Sequence, residues 1–148
     1  MSLRVLAATV AGAIVLFMLG YAIWGVLFTE LLNEGVTHHP GLEKETPNLL
    51  ALFSSNLALA FLLTVIFEFW SRSRTFLAGL RDGAIIGFLI CLAKDLSFLG
   101  YMNLFERPTP IVLDLLAETL RVSLAGGVIG AVLGWMAERA GSGQLQRS

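Results

Sequence analysis

Four long apolar stretches, separated by short polar breaks, set the hydropathy pattern of the chain. They cover residues 5–28, 49–70, 76–104 and 110–136. Each is long enough to cross a hydrocarbon layer about 30 Å thick as a helix of roughly 20 residues. The apolar positions neither alternate like a half-buried strand nor collect on one narrow helical stripe. The pattern therefore predicts an all-α polytopic membrane protein, with four transmembrane helices in an antiparallel up-down bundle. Residues 1–148 form one such domain, with a 29–48 loop outside the membrane and a short 139–148 cytoplasmic tail.

Local signals support these boundaries. Pro47 and Asn48 stand just before the second stretch, and Pro110 suits the first turn of the fourth. The first stretch follows Met1, Ser2, Leu3 and Arg4, as a signal sequence would. It is too long for a cleaved apolar region, however, and Phe28-Thr-Glu-Leu-Leu offers no small-x-small cleavage site. The reading is a retained first span.

Composition sharpens the class. Of 148 residues, 56% are hydrophobic and 14% charged, whereas a soluble domain carries about 25% charge. The lipid bilayer is the expected partner. Net charge is −1 and the basic residues are scattered, which gives no footprint for nucleic acid. Arg4, Arg72, Arg74, Arg81, Arg139 and Arg147 fall at one set of span ends, and only Lys44 and Arg107 at the other. The positive-inside rule places both termini and the 71–75 turn in the cytoplasm of a bacterial inner membrane.

Gly79, Gly83 and Gly87 recur every four residues on span three, as do Gly126, Gly130 and Gly134 on span four. Such ladders let two helix backbones approach closely, and in lipid this is where packing is decided. At 100° per residue, Lys94 shares the first ladder's stripe and Asp95 sits about 100° round. On span four the glycine face lies nearly opposite Asp114, Glu118 and Arg121. One of its two faces must meet another helix of the bundle or a second copy, so a homo-oligomer through glycine faces is an expected partner.

Charge inside the spans is the other anomaly. Counted inward from the outer boundary, Lys94, Asp95, Glu118, Arg121, Ser54, Ser55, Asn56 and Tyr21 fall at about one level, roughly 8–15 Å deep. A central Lys, Arg or Asp costs about 2.5–3.5 kcal/mol on insertion, so these groups need partners. Lys94–Glu118 and Asp95–Arg121 are the natural interhelical pairs, and Glu118 and Arg121 can also pair within their helix. Asp114, one turn before Glu118, is then the carboxylate left over.

Two functions are open to such a layer. In the first, the layer holds the bundle together in a self-associating structural or accessory protein. In the second, Asn56, Asp95, Asp114 and Glu118 line a proton, cation or small-molecule site in a small transporter. Asn56, Ala60, Thr64 and Glu68, spaced by four on span two, read as a helix-contact face or as one wall of a polar path. Cys91, alone in the chain, excludes an intramolecular disulfide and a cysteine-based metal site and reads as a packing residue. His38 and His39 read as solvated loop residues. With no phosphate loop, His-Glu-x-x-His motif or nucleophile with its base, no enzyme, cofactor or metal is expected.

Several short stretches carry a resemblance. They are Leu19-Gly20-Tyr21 with Trp24-Gly25-Val26-Leu27, Pro47-Asn48-Leu49, Gly83-Ala-Ile-Ile-Gly-Phe-Leu89, Asn103-Leu104, Ile111-Val-Leu-Asp114 and the Gly126–Gly134 ladder. Over about residues 12–135 the chain resembles a group of small, uncharacterised bacterial four-span membrane proteins classified as a domain of unknown function. The resemblance implies a fold and a location, and no activity.

Overall fold

The computed structural model describes residues 2–27, 44, 46–103 and 107–145, with side chains through residue 140. Four helices make up the fold. Helix α1 is Leu3–Ala22, continued by a wide π turn at Ile23–Leu27. Helix α2 is Leu49–Ile66, with a second π turn at Phe67–Ser71. Helix α3 is Phe76–Tyr101 and α4 is Thr109–Leu145. All four are long and apolar enough to span a membrane.

The starts of α2 and α3 follow from side-chain caps. Asn48 Oδ1 accepts from Ala51 N at 3.1 Å, and Thr75 Oγ1 from Ala78 N at 3.2 Å, each satisfying an orphan amide of the first turn. Arg72, at φ 54°, takes the left-handed conformation that ends α2. Helix α3 begins four residues later, at Phe76, so α2 and α3 run in opposite directions.

Within the most apolar window of each helix, half of α4 is buried, against 33% for α1 and 22% for α2 and α3. Helix α4 is therefore the centre. Helix α1 packs on α4 and α2, while α3 packs on α4 and scarcely touches α2. The side-chain core joins Ala8, Ala13 and Leu16 of α1, Ala60, Leu63 and Phe67 of α2, and Val122, Ala125, Ile129 and Leu133 of α4. Gly12 admits Ile129 into this core, since a Cβ there would lie 2.6 Å from the Ile129 side chain.

No α3 residue enters that fully buried cluster. Helix α3 joins α4 through glycine instead. Gly79 and Gly126 face each other, and each would drive a Cβ into the other's carbonyl oxygen. Gly83 would place a Cβ 2.7 Å from Val122 O, and Gly130 one 2.6 Å from Thr75 O. Gly87 meets Val122, and Gly134 meets the backbone of Arg74. Ser123 Oγ donates across the same seam to Leu80 O at 2.9 Å.

Several expectations change here. Both ladders are consumed within one chain, so a homo-oligomer has no free glycine face among the described residues. The second face of α4 meets α1 and α2, the first of the two outcomes open to it. The buried positions of α3 are Gly79, Gly83, Gly87, Cys91 and Asp95, so Asp95, and not Lys94, continues the ladder. Packing follows an i+4 row, which is inclined to the helix axis, whereas a stripe drawn parallel to the axis leads to Lys94. Helix α4 continues through Leu145, past the candidate span that ends at Ala140, so the first residues of the 139–148 tail are helical. The third span ends at Tyr101, and Leu104 lies outside the described residues, as does most of the 29–48 loop.

Candidate functional site

Three polar side chains climb α4 in successive turns: Asp114, Glu118 and Arg121. Their partners come from every other helix. Arg121 donates from Nε and Nη2 to the two oxygens of Glu118 at 2.7 and 2.6 Å, the bidentate fork that suits guanidinium and carboxylate. Its Nη1 reaches Asn56 Oδ1 on α2 at 2.7 Å and Leu16 O on α1 at 3.1 Å. Gly20 makes room for this reach, since a Cβ there would lie 3.2 Å from Nη1. The guanidinium also lies 5.0 Å from the centre of the Trp24 ring, within cation–π range.

Trp24 links this group to a second one. Its indole Nε1 donates to Asp114 Oδ1 at 3.1 Å, and Lys94 Nζ donates to Asp114 Oδ2 at 2.6 Å. Lys94 Nζ also lies 3.4 Å from Asp95 Oδ1. Below them, Cys91 Sγ is 3.4 Å from Asp95 Oδ2 and 3.5 Å from Asp114 Oδ2. Asp95 is 2% exposed and Cys91 1%, whereas the Lys94 side chain is 45% exposed at the rim. Two cations and three carboxylates make up the layer, so in their ordinary ionisation states it carries one net negative charge.

All four helices thus contribute to one polar layer; the pair within α4, Glu118 with Arg121, forms as the spacing allows, while the two expected interhelical pairs do not. Lys94 pairs with Asp114 instead of Glu118, and Arg121 with Glu118 instead of Asp95. Asp114 is consequently the best-engaged carboxylate on α3's side of the layer, not a spare one. The least engaged is Asp95. Tyr21, 67% exposed, leaves the layer and covers Gly25. Ser54 and Ser55 bond their own helix, to Leu50 O and Leu52 O at 2.8 Å each. Only Asn56 of that trio faces inward.

Trp24 and Cys91 join the layer as members not expected from the sequence. Depth alone signals the first: Trp24 lies a few residues inside its span, as Asp114 does. Cys91 is signalled by the i+4 row from Gly87 to Asp95.

A second ionic group, also missed, sits at the opposite end of the bundle. Glu68, in the π turn of α2, bonds both Arg4 of α1 and Arg74, and its side chain is only 4% exposed. Nearby, Ser73 Oγ donates to Asp82 Oδ2 at 2.5 Å and Arg81 pairs with Asp82 at 2.9 Å. The stripe Asn56–Ala60–Thr64–Glu68 therefore ends in ion pairs. Along it Ala60 and Thr64 are fully buried, and Thr64 Oγ1 bonds Ala60 O at 2.8 Å. Trp70, Tyr101 and Trp135 are all exposed, as side chains that meet a membrane interface are. His38 and His39 lie outside the described residues.

No protein-family model, curated protein or solved structure matches the chain. What the geometry defines is a multi-pass helical membrane protein, built on a central helix and carrying an ionic group toward each end.

Proposed function

We propose that this chain is a structural or accessory protein of a bacterial inner membrane, with both termini in the cytoplasm, whose charged layer fixes the register of its helices. The observation that carries this reading is the saturation of Arg121. One guanidinium engages a carboxylate, an amide, a backbone carbonyl and an indole face drawn from α4, α2 and α1. Partners of this number satisfy a buried charge and hold its neighbours at one relative height. The Arg4, Arg72, Arg74 and Arg81 end faces the cytoplasm by the positive-inside rule. Transport through Asp114 has less support, since Lys94 and Trp24 already engage that carboxylate.

Proteoliposomes holding the purified protein test the reading under an imposed proton or sodium gradient. The expected flux equals that of empty vesicles. A flux above that background, abolished by Asp114→Asn in protein that still folds, would replace the structural role with transport.

A further inference from the structure

Between α1 and α3 an apolar groove of about 430 Å³ lies open on one side of the bundle, with α4 as its floor. Ile14, Val15 and Met18 line one wall, Phe76 the other, and Leu124 and Val128 the floor. Gly127 makes room for the Phe76 wall, since a Cβ there would lie 2.8 Å from that ring. The rim on α1 is exposed, Ile14 at 50% and Met18 at 64%. We propose that this groove seats one acyl chain of an anionic phospholipid whose phosphodiester is held by Arg4 and Arg139, a role beyond fixing helix register.

Helical phase brings both arginines to the mouth of the groove. Arg4 precedes Val15 by 11 residues on α1, and Arg139 follows Val128 by 11 on α4. The two helices run in opposite directions, with Gly12 facing Ile129 and Gly20 facing Arg121. Both arginines therefore lie toward the same end, about 16 Å along the axis from those lining residues. Eleven residues also close three turns to within about 20°, which keeps each arginine on the groove-facing stripe of its helix. Trp135, 52% exposed, continues the Leu124–Val128 stripe to that end, where a membrane interface suits an indole. The depth matches one leaflet, since half of a hydrocarbon core is about 15 Å.

Charge at the mouth complements a phosphate. Arg4 pairs with Glu68 through Nη2, while its Nε has no acceptor among the described residues. Glu68 is shared with Arg74, so two guanidinium groups meet one carboxylate and one positive charge is left over. The Arg139 guanidinium lies 3.8 Å from the centre of the Trp135 ring. That stack occupies the face of the guanidinium, whereas phosphate binds at the N–H edge. Across this end the described residues hold five arginines against Glu68, Asp82 and Glu138, a surplus of two positive charges. Basic pockets between transmembrane helices bind acidic headgroups by such a surplus. The groove above is lined by apolar side chains alone, so hydrocarbon fills it. A helix of a second copy is rigid and about 10–12 Å across, and would have to match the groove ridge for ridge. A single chain bends to fill an irregular slot and recovers its dispersion contacts.

The test titrates the full chain, in lipid-free detergent micelles, with phosphatidylglycerol or with phosphatidylcholine of the same acyl chains. Native mass spectrometry counts the bound lipid. Micelles present both ends of the bundle, so the result does not depend on which end faces the cytoplasm. One phosphatidylglycerol per chain is expected, held about tenfold tighter than phosphatidylcholine, and it should raise the unfolding temperature. Arg139→Gln should lower that preference about fivefold, the worth of one arginine near an acidic headgroup. Arg81→Gln, at the same end but off the groove, should leave it unchanged. Val128→Trp fills the groove and should weaken both lipids roughly tenfold, as losing contact with two methylenes would, with helicity as the check on folding. Met18→Trp, on the exposed rim, gives the same reading if Val128→Trp does not fold. Equal affinity for the two lipids, or an equal loss in Arg81→Gln and Arg139→Gln, would overturn the site. So would unchanged binding in a folded groove variant, competition by glycerophosphoglycerol, which has the headgroup without chains, or a lipid-free dimer that Val128→Trp breaks.

Discussion

Helix α4 meets α3 in two ways along its length. Toward the Gly130 end the contact is backbone on backbone, with glycines facing glycines and the Ser123 hydroxyl bonding across the seam. Toward the Asp114 end the backbones are bridged by long polar side chains, Lys94 above all. Lipid supplies no hydrophobic drive between helices, so each half needs its own source of attraction. The glycine seam gains dispersion and loses little side-chain entropy on packing. The charged layer gains directional bonds but is stable only while every member has a partner. The seam should therefore tolerate change gradually and the layer abruptly.

Breaking the layer should give the largest effect. Arg121→Ala leaves Glu118 and Asn56 facing each other without their cation, a loss of about 3–5 kcal/mol. Denaturant titration in mixed micelles reads it, and a loss below about 1 kcal/mol would place the strength of that half elsewhere. Gly83→Ala, which pushes a Cβ to 2.7 Å from Val122 O and 3.2 Å from Gly126 Cα, should cost about 1–3 kcal/mol by overpacking. Gly100→Ala is the control for that value: nothing lies within 4 Å of a Cβ there, so unfolding should not be destabilised. Equal losses at both glycines would mean that backbone propensity, and not seam contact, governs α3. The smallest effect belongs to Ser123→Ala, which removes the bond to Leu80 O for about 0.6 kcal/mol, the average for such bonds in membranes. A loss several times larger would make the seam a polar contact like the layer.

Much of this architecture was legible in the chain itself. Length and hydropathy mark four spans, and the second and third start at the capping residues Asn48 and Thr75. Spacing by four identifies both glycine ladders, and depth counting brings Asn56, Lys94, Asp95, Glu118 and Arg121 to one layer, with Asp114 one turn from Glu118, although Ser54, Ser55 and Tyr21, counted at the same depth, do not join it. The partnerships were not legible, because helical phase places a residue on its own helix without saying which neighbour lies there. Lys94 has a long flexible stem and reaches Asp114 from the rim, while the short Asp95 stays where its row points it. Which helix is central was equally hidden. Helix α4 is the least apolar of the four, and its small and charged residues find partners only because three other helices surround it. Glu68 stands out in the sequence as the end of the span-two stripe, but its ion pairs do not, because Arg4 and Arg74 were assigned to topology alone.

Both ionic groups hang on a π turn: Trp24 lies in Ile23–Leu27 and Glu68 in Phe67–Ser71. A hydrogen bond from i to i+5 encloses one residue more than an α turn. Each segment therefore carries, in effect, a one-residue insertion. Deleting a single residue there would let the α ladder run straight through and rotate the downstream residues by about 100°. In α1 that would swing the end of the span past α4. In α2 it would turn the chain leading into α3. The two helices are thus unequally open to length change, with lipid-facing turns able to absorb it and these two turns serving as counted positions.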